Sequence, residues 1–95
     1  MKALRIEVAQ EDIQGGLPDS PDDCPIARAV RRAYPDFQFV YVGEDFIGLR
    51  RAPCELHQSE HIDLPEIACR FIRDFDQRVE VKPISFEVLI HNAET

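Results

Sequence analysis

Residues 37–51 read Phe37-Gln38-Phe39-Val40-Tyr41-Val42-Gly43-Glu44-Asp45-Phe46-Ile47-Gly48-Leu49-Arg50-Arg51. Phe37 to Val42 is dense in aromatic and β-branched residues, the types that fit a pleated, half-buried surface. Gly43-Glu44-Asp45 then reads as a hairpin turn that returns the chain through Phe46 to Arg51. A hairpin is antiparallel by construction, so a sheet containing it is not wholly parallel. What flanks the hairpin on either side is helical in pattern, and that decides the class.

On the amino-terminal side Pro35 stops a helix whose first position suits Pro25, with Asp23 and Cys24 as capping candidates. Ile26, Ala29, Val30 and Ala33 form its apolar stripe, while Arg28, Arg31 and Arg32 face outward or flank it. Before it, residues 3–9 alternate, with Leu4, Ile6 and Val8 on one face and Arg5 and Glu7 on the other, the period of a half-buried strand. Gln10 to Gly16 has room for one helical turn ended by the glycine pair. Leu17 to Asp23, with two prolines and three aspartates, is a loop by composition. On the carboxyl-terminal side, Cys54 to Ile62 reads as a short strand or irregular arm. Asp63, followed three residues later by Glu66 and with Pro65 in the first turn, resembles a capping box. It opens a second helix with the stripe Ile67, Ala68, Phe71, Ile72 and Phe75. Val79 to Ile90 is strand-like but interrupted by Pro83, which implies an edge or a bulge, and Ile84, Phe86, Val88 and Ile90 would face the helices. The order strand, helix, hairpin, arm, helix, strand predicts an α+β fold: one small domain over residues 1–95, with a mixed sheet of about four strands and two helices packed on one face. The strands flanking the first helix are compatible with a parallel crossover.

The totals set limits on function. With 95 residues there is room for one core. The net charge of −7 argues against a protein that tracks phosphates, so nucleic acid is not the expected partner. No apolar run approaches the roughly 20 residues that span a bilayer, so no membrane partner is expected, and MKALRIEVAQEDI lacks the long apolar stretch of a secretory signal. The three cysteines are an odd number without a secretion signal, which suits a reducing compartment and a cytoplasmic location.

Candidate chemistry is sparse. Cys24 sits at a helix amino terminus, where the dipole favours the thiolate, but Asp22 and Asp23 oppose it, and no second cysteine stands at C-x-x-C spacing. Ser20 lies in a loop with no histidine near it in sequence, and no G-x-S-x-G or G-x-G-x-x-G is present. Catalysis is therefore not expected. Cys54, His57 and His61 form C-x2-H-x3-H. On a helix they would share a face as metal ligands, whereas on a strand His57 and His61 would lie roughly 13 Å apart. A fourth ligand would have to come from Cys69 or His91, and no metal or cofactor is assigned. Two charged surfaces are left for a protein partner. One is the acidic loop of Asp19, Asp22 and Asp23, which is also open to reading as a nucleic-acid mimic. The other is the arginine set Arg28, Arg31 and Arg32 with Arg50 and Arg51.

Asp12-Ile13 followed by Gly16, then Cys24-Pro25-Ile26-Ala27 with Ala29, resembles a pattern found in short uncharacterised proteins of phages and prophages, many from high-GC bacteria. Such proteins carry a later stretch similar to Leu64-Pro65, then Phe71-Ile72 with Asp74-Phe75-Asp76, then Val81 with Pro83 and Phe86. The Cys54 to Ile62 arm departs from it. The resemblance implies an accessory protein of a mobile element that binds a host protein, and it carries no activity. The expectation is therefore a non-catalytic interaction module with a protein partner, or, on the other reading, a small metal-dependent regulatory domain built on Cys54, His57 and His61. The final strand, if it lies at an edge, would also invite pairing with a second copy.

Overall fold

The computed structural model describes residues 2–51 and 60–90. The hairpin lies where its sequence places it: β2 spans Phe37–Val42 and β3 spans Phe46–Arg51. The chain before it forms β1 (Lys2–Val8), α1 (Gln10–Gly15) and α2 (Pro25–Ala33). After it come β4 (Glu60–Asp63), α3 (Glu66–Asp76) and β5 (Ile84–Ile90). The fold is α+β.

The strands form two sheets. β1 and β5, from opposite ends of the described chain, make an antiparallel pair, and β2, β3 and β4 make an antiparallel meander. The expected single mixed sheet of about four strands is thus five strands in two sheets, with every described pairing antiparallel. No parallel crossover joins β1 to β2, because β1 takes the terminal strand as its partner. Its inward residues Leu4, Ile6 and Val8 lie opposite Val88, Phe86 and Ile84, so two half-buried faces meet in register. The third helix, α1, is the short helix expected between Gln10 and Gly16, with Gly15 as its last residue and Gly16 as its C-cap.

α2 lies against both β1 and β2, and α3 lies against β5, so the core is shared between the two sheets. Ile6, Ile26, Val30, Ile47, Leu49 and Ile90 are among the most deeply buried side chains. Two expected stripe residues are out of place. Ala33 is exposed at the end of α2, with Ala27 buried instead, and Ile67 is exposed at the start of α3.

Local hydrogen bonds explain the element ends. The Leu64 amide donates to the Asp45 carbonyl at 3.0 Å, which keeps Asp63 and Leu64 extended. Helix α3 therefore starts at Glu66 rather than from a capping box at Asp63, and Pro65 is its N-cap. No side chain caps α2: its N-cap is Cys24, and the Asp23 carboxylate turns to arginines instead. Residues 79–83 make no ladder; β5 begins directly after Pro83, a position where the missing amide costs nothing.

The end of α3 is a Schellman motif, with the Val79 amide on the Asp74 carbonyl at 2.8 Å and the Arg78 amide on that of Phe75 at 3.0 Å. Arg78 holds the left-handed position usually given to glycine, with φ of 64°. Arg78→Gly removes that strain, and urea denaturation is expected to show a gain of about 0.5–1 kcal/mol. A loss would mean that the arginine side chain contributes more than its backbone costs.

Candidate interaction surface

The acidic loop and the first two helix arginines expected from the sequence are tied together at Asp23. Asp23 Oδ1 accepts from Arg28 Nη1 at 3.2 Å and from Arg31 Nη2 at 3.3 Å, and Arg31 Nη1 also donates to the Asp22 carbonyl. The Asp19 amide donates to Asp76 Oδ1 on α3 at 2.9 Å, and Asp19 is held at φ of 57°, a conformation aspartate tolerates. The Val42 amide donates to the Pro21 carbonyl at 2.8 Å, which pins the loop to β2. Of the three loop acids, Asp23 pairs through its carboxylate with Arg28 and Arg31, whereas Asp22 offers Arg31 its carbonyl and Asp19 is tied through its amide to Asp76. The Asp23 ion pairs are half-exposed and worth little individually, but they leave fewer charges turned outward.

Arg32 is anchored by a residue that the charge count did not single out. Asp12 is 3% exposed. One of its oxygens accepts the Ala9 amide at 2.8 Å, closing the first turn of α1, and both accept from the Arg32 guanidinium. Arg32 Nη2 also donates to the Glu7 carbonyl at 3.2 Å, so one arginine joins β1, α1 and α2. The Asp12 carboxylate holds the Arg32 guanidinium further above its ordinary range. The sequence signal was there: an aspartate at the third position of a short helix reaches back to the amide before it.

The other face of the meander has a different chemistry. Between Phe37 and Phe39 the pairing register shifts: Phe37 lies opposite Arg51, and Phe39 opposite Arg50, with Gln38 as the extra residue of a bulge. The shift turns Phe37 into the core and Phe39 and Tyr41 outward, where they are 41% and 40% exposed. Tyr41, Gly48 and His61 lie opposite one another across the three strands, and Phe46 lies opposite Asp63. The rings form a continuous strip: Phe39 with Tyr41 at 6.5 Å between centroids, Tyr41 with Phe46 at 5.8 Å, and Phe46 with His61 at 4.3 Å, all near parallel. At one end the Arg50 guanidinium sits 4.9 Å from the Phe39 centroid, and its Nε is buried without a hydrogen-bond partner. Arg51 closes β3.

Gly43 makes the strip possible at the turn, because a Cβ there would come within 2.2 Å of the Phe46 ring. Beside the turn a cleft of about 380 Å³ opens, lined by Tyr41, Phe46, Asp19, Glu44, Ile72 and Asp76. A second hollow next to it adds Asp45, Glu66 and Arg73. The strip therefore runs from an arginine at one end to a carboxylate-rich cleft at the other.

The remaining candidates take their places around this surface. Cys24 is buried, and burial, with a smaller contribution from Asp76, pushes its thiol pKa up despite its helix-end position. Cys69 is raised too, first by burial and then by Glu66 and Asp45, and its thiol faces the Leu64 carbonyl at 3.6 Å. Ser20 Oγ donates to Asp22. Cys54 and His57 lie outside the described residues, whereas His61 is an exposed strand residue stacked on Phe46. Among the described residues no group of three or more histidine, cysteine or acidic side chains is placed to hold a metal. No described helix is long and apolar enough to cross a membrane. Compared with protein families, curated proteins and solved structures, the chain matches none of them.

Two measurements check these assignments. Asp12→Ala is expected to destabilise the fold by about 2–3 kcal/mol in urea titration, since it frees the Ala9 amide and leaves Arg32 without its buried partner. Asp12→Asn, which still accepts from Ala9, is expected to cost less. At pH 8 iodoacetamide should modify Cys69 well before Cys24, with Cys24 reacting only on unfolding. Because the native state holds the Cys24 proton more tightly than the unfolded chain, this contribution is full below the ordinary thiol value of 9.0 and is lost as pH rises from there towards the raised native value.

Proposed function

We propose that the protein is a non-catalytic interaction module, working in a reducing, cytoplasmic setting, that receives a protein partner on the aromatic outer face of the β2–β3–β4 sheet. The observation that carries this reading is the stacked strip of Phe39, Tyr41, Phe46 and His61, with two of its rings about 40% exposed. Aromatic side chains supply large contact area at low entropic cost and are enriched in the centres of binding surfaces. The opposite face of this sheet is core, and the outer face of the β1–β5 sheet is different in kind: it presents Arg5 in ion pairs with both Glu7 and Glu87, alongside the exposed Leu89. The aromatic strip therefore supports docking better than Asp23, Arg28 and Arg31, which pair among themselves, or Arg32, which is held by Asp12. A host protein as partner rests on the likeness to phage and prophage accessory proteins. Pairing of a second copy along the outer edge of β1 or β5 is a separate proposal, since among the described strands each has one neighbour.

The test is site-specific photocrosslinking in cells that express the protein. A benzophenone side chain at Tyr41 is expected to give a discrete heterologous adduct, and the same group at Glu87 is expected to give none. Adducts of equal yield from both positions, or from neither, would remove the aromatic face as the docking surface. An adduct of twice the chain mass would assign that face to a second copy.

A further inference from the structure

We infer that the aromatic face is built to receive arginine side chains of its partner, an inference that rests on the docking reading above and names its chemistry. The face already holds one guanidinium in cis, with Arg50 4.9 Å from the centroid of Phe39. That contact shows the approach that a planar cation makes to this sheet, along the electron-rich face of a ring. Tyr41, Phe46 and His61 continue the same strip, and no described cation–ring contact involves them. At their end the surroundings are acidic: Glu44 and Asp45 in the turn, Asp63 opposite Phe46, and Asp19 and Asp76 across the cleft. Arg73 is the cation among the residues lining these two hollows. The chain as a whole carries a net charge of −7, so a positively charged segment is attracted before contact.

Rings and carboxylates make complementary demands on a ligand. A ring face favours a weakly hydrated, planar cation, and a carboxylate favours a forked donor. Guanidinium satisfies both, whereas an ammonium meets the second as a point charge and is more strongly hydrated. A leucine-rich segment would cover the rings but would desolvate the acidic rim without pairing it. An acidic segment would be repelled at the cleft. An arginine-bearing strand or turn laid along the strip, with guanidinium groups over Tyr41 and between Glu44 and Asp76, meets the ring and carboxylate requirements together.

The experiment is fluorescence anisotropy with the intact protein and a labelled twelve-residue peptide. Every third residue is arginine and the others are glycine and serine; matched peptides carry leucine, lysine or glutamate at those positions. The arginine peptide is expected to bind saturably and more tightly than the lysine one, and to weaken as monovalent salt is raised. Tyr41→Leu, which keeps apolar area but removes the ring face, is expected to weaken it roughly three- to tenfold, and Tyr41→Phe to leave it nearly unchanged. Asp76→Asn is also expected to weaken it, and because an amide oxygen still accepts the Asp19 amide, its fold should be retained in thermal melts. Arginine-peptide binding that ignores Tyr41→Leu would overturn the inference, since attraction to net charge alone would then explain it. Tighter binding of the leucine peptide, lost in Tyr41→Leu, would overturn it while leaving the docking face in place. No binding of any peptide would also overturn it, and the Tyr41 crosslink would then judge the docking face separately.

Discussion

One extra residue, Gln38, decides what the outer surface of the meander is made of. Without the bulge, strand alternation would put Phe37, Phe39 and Tyr41 on one face. All three would then be buried, or all three would be exposed. With the bulge, Phe37 joins Val40 and Val42 in the core while Phe39 and Tyr41 join Phe46 and His61 outside. The core gains an aromatic anchor, which lies edge-on to Tyr34 with 6.3 Å between ring centroids. The surface gains a strip of rings that a regular ladder would not have produced. Bulges bend a strand and re-aim its side chains, and in this sheet the outward residues Phe39 and Tyr41 are about 40% exposed.

A second set of constraints holds the helices in place, with α2 against β1 and β2 and α3 against β5. Asp12 closes α1 and fixes Arg32 of α2. Gly16 passes so close to Pro25 that a Cβ would meet the proline ring and its backbone nitrogen within 2.8 Å. Cys24, Pro25, Ile26, Ala27 and Ala29 are buried against both sheets. Later in the chain Leu64, Phe71, Ile72 and Phe86 are core, the Asp74 carbonyl terminates α3, and the Asp76 carboxylate receives the Asp19 amide. Each of these residues thus has a structural task in forming the fold. The aromatic strip stands apart from these positions.

Much of the fold was legible because local rules and packing agree. The bounds of the hairpin, the start of α2 at Pro25 and the alternation of β1 and β5 all follow from residue type and period. What the sequence did not reveal was which strand pairs with which. Two half-buried strands at the ends of a chain carry the same alternation whether they pair with each other or with a central hairpin, and only the closed core distinguishes the two. The start of α3 was misplaced because a strand hydrogen bond from Leu64 to Asp45 overrides the capping signal at Asp63. The candidate surface was legible only in part. Charges are visible in a sequence, but their pairing across a loop and a helix is not, so Asp19, Asp22, Asp23, Arg28, Arg31 and Arg32 stood out while Phe39, Tyr41 and Phe46 read only as strand residues. Arg50 was marked as a basic residue, and its place over Phe39 depends on the register that the bulge sets.

Phe39, Tyr41 and His61 form an open face while Phe37, one position before the bulge residue, is core. Side-chain NMR of the aromatic rings with a soluble paramagnetic agent measures this directly, because relaxation rises with access to solvent. The structure predicts fast relaxation of the Phe39, Tyr41 and His61 rings and slow relaxation of Phe37 and Phe86, unchanged across protein concentrations. Relaxation of Tyr41 and Phe39 as slow as that of Phe37 would show the face to be covered in solution, and the surface would then belong to the assembly of the protein rather than to its recognition of a partner.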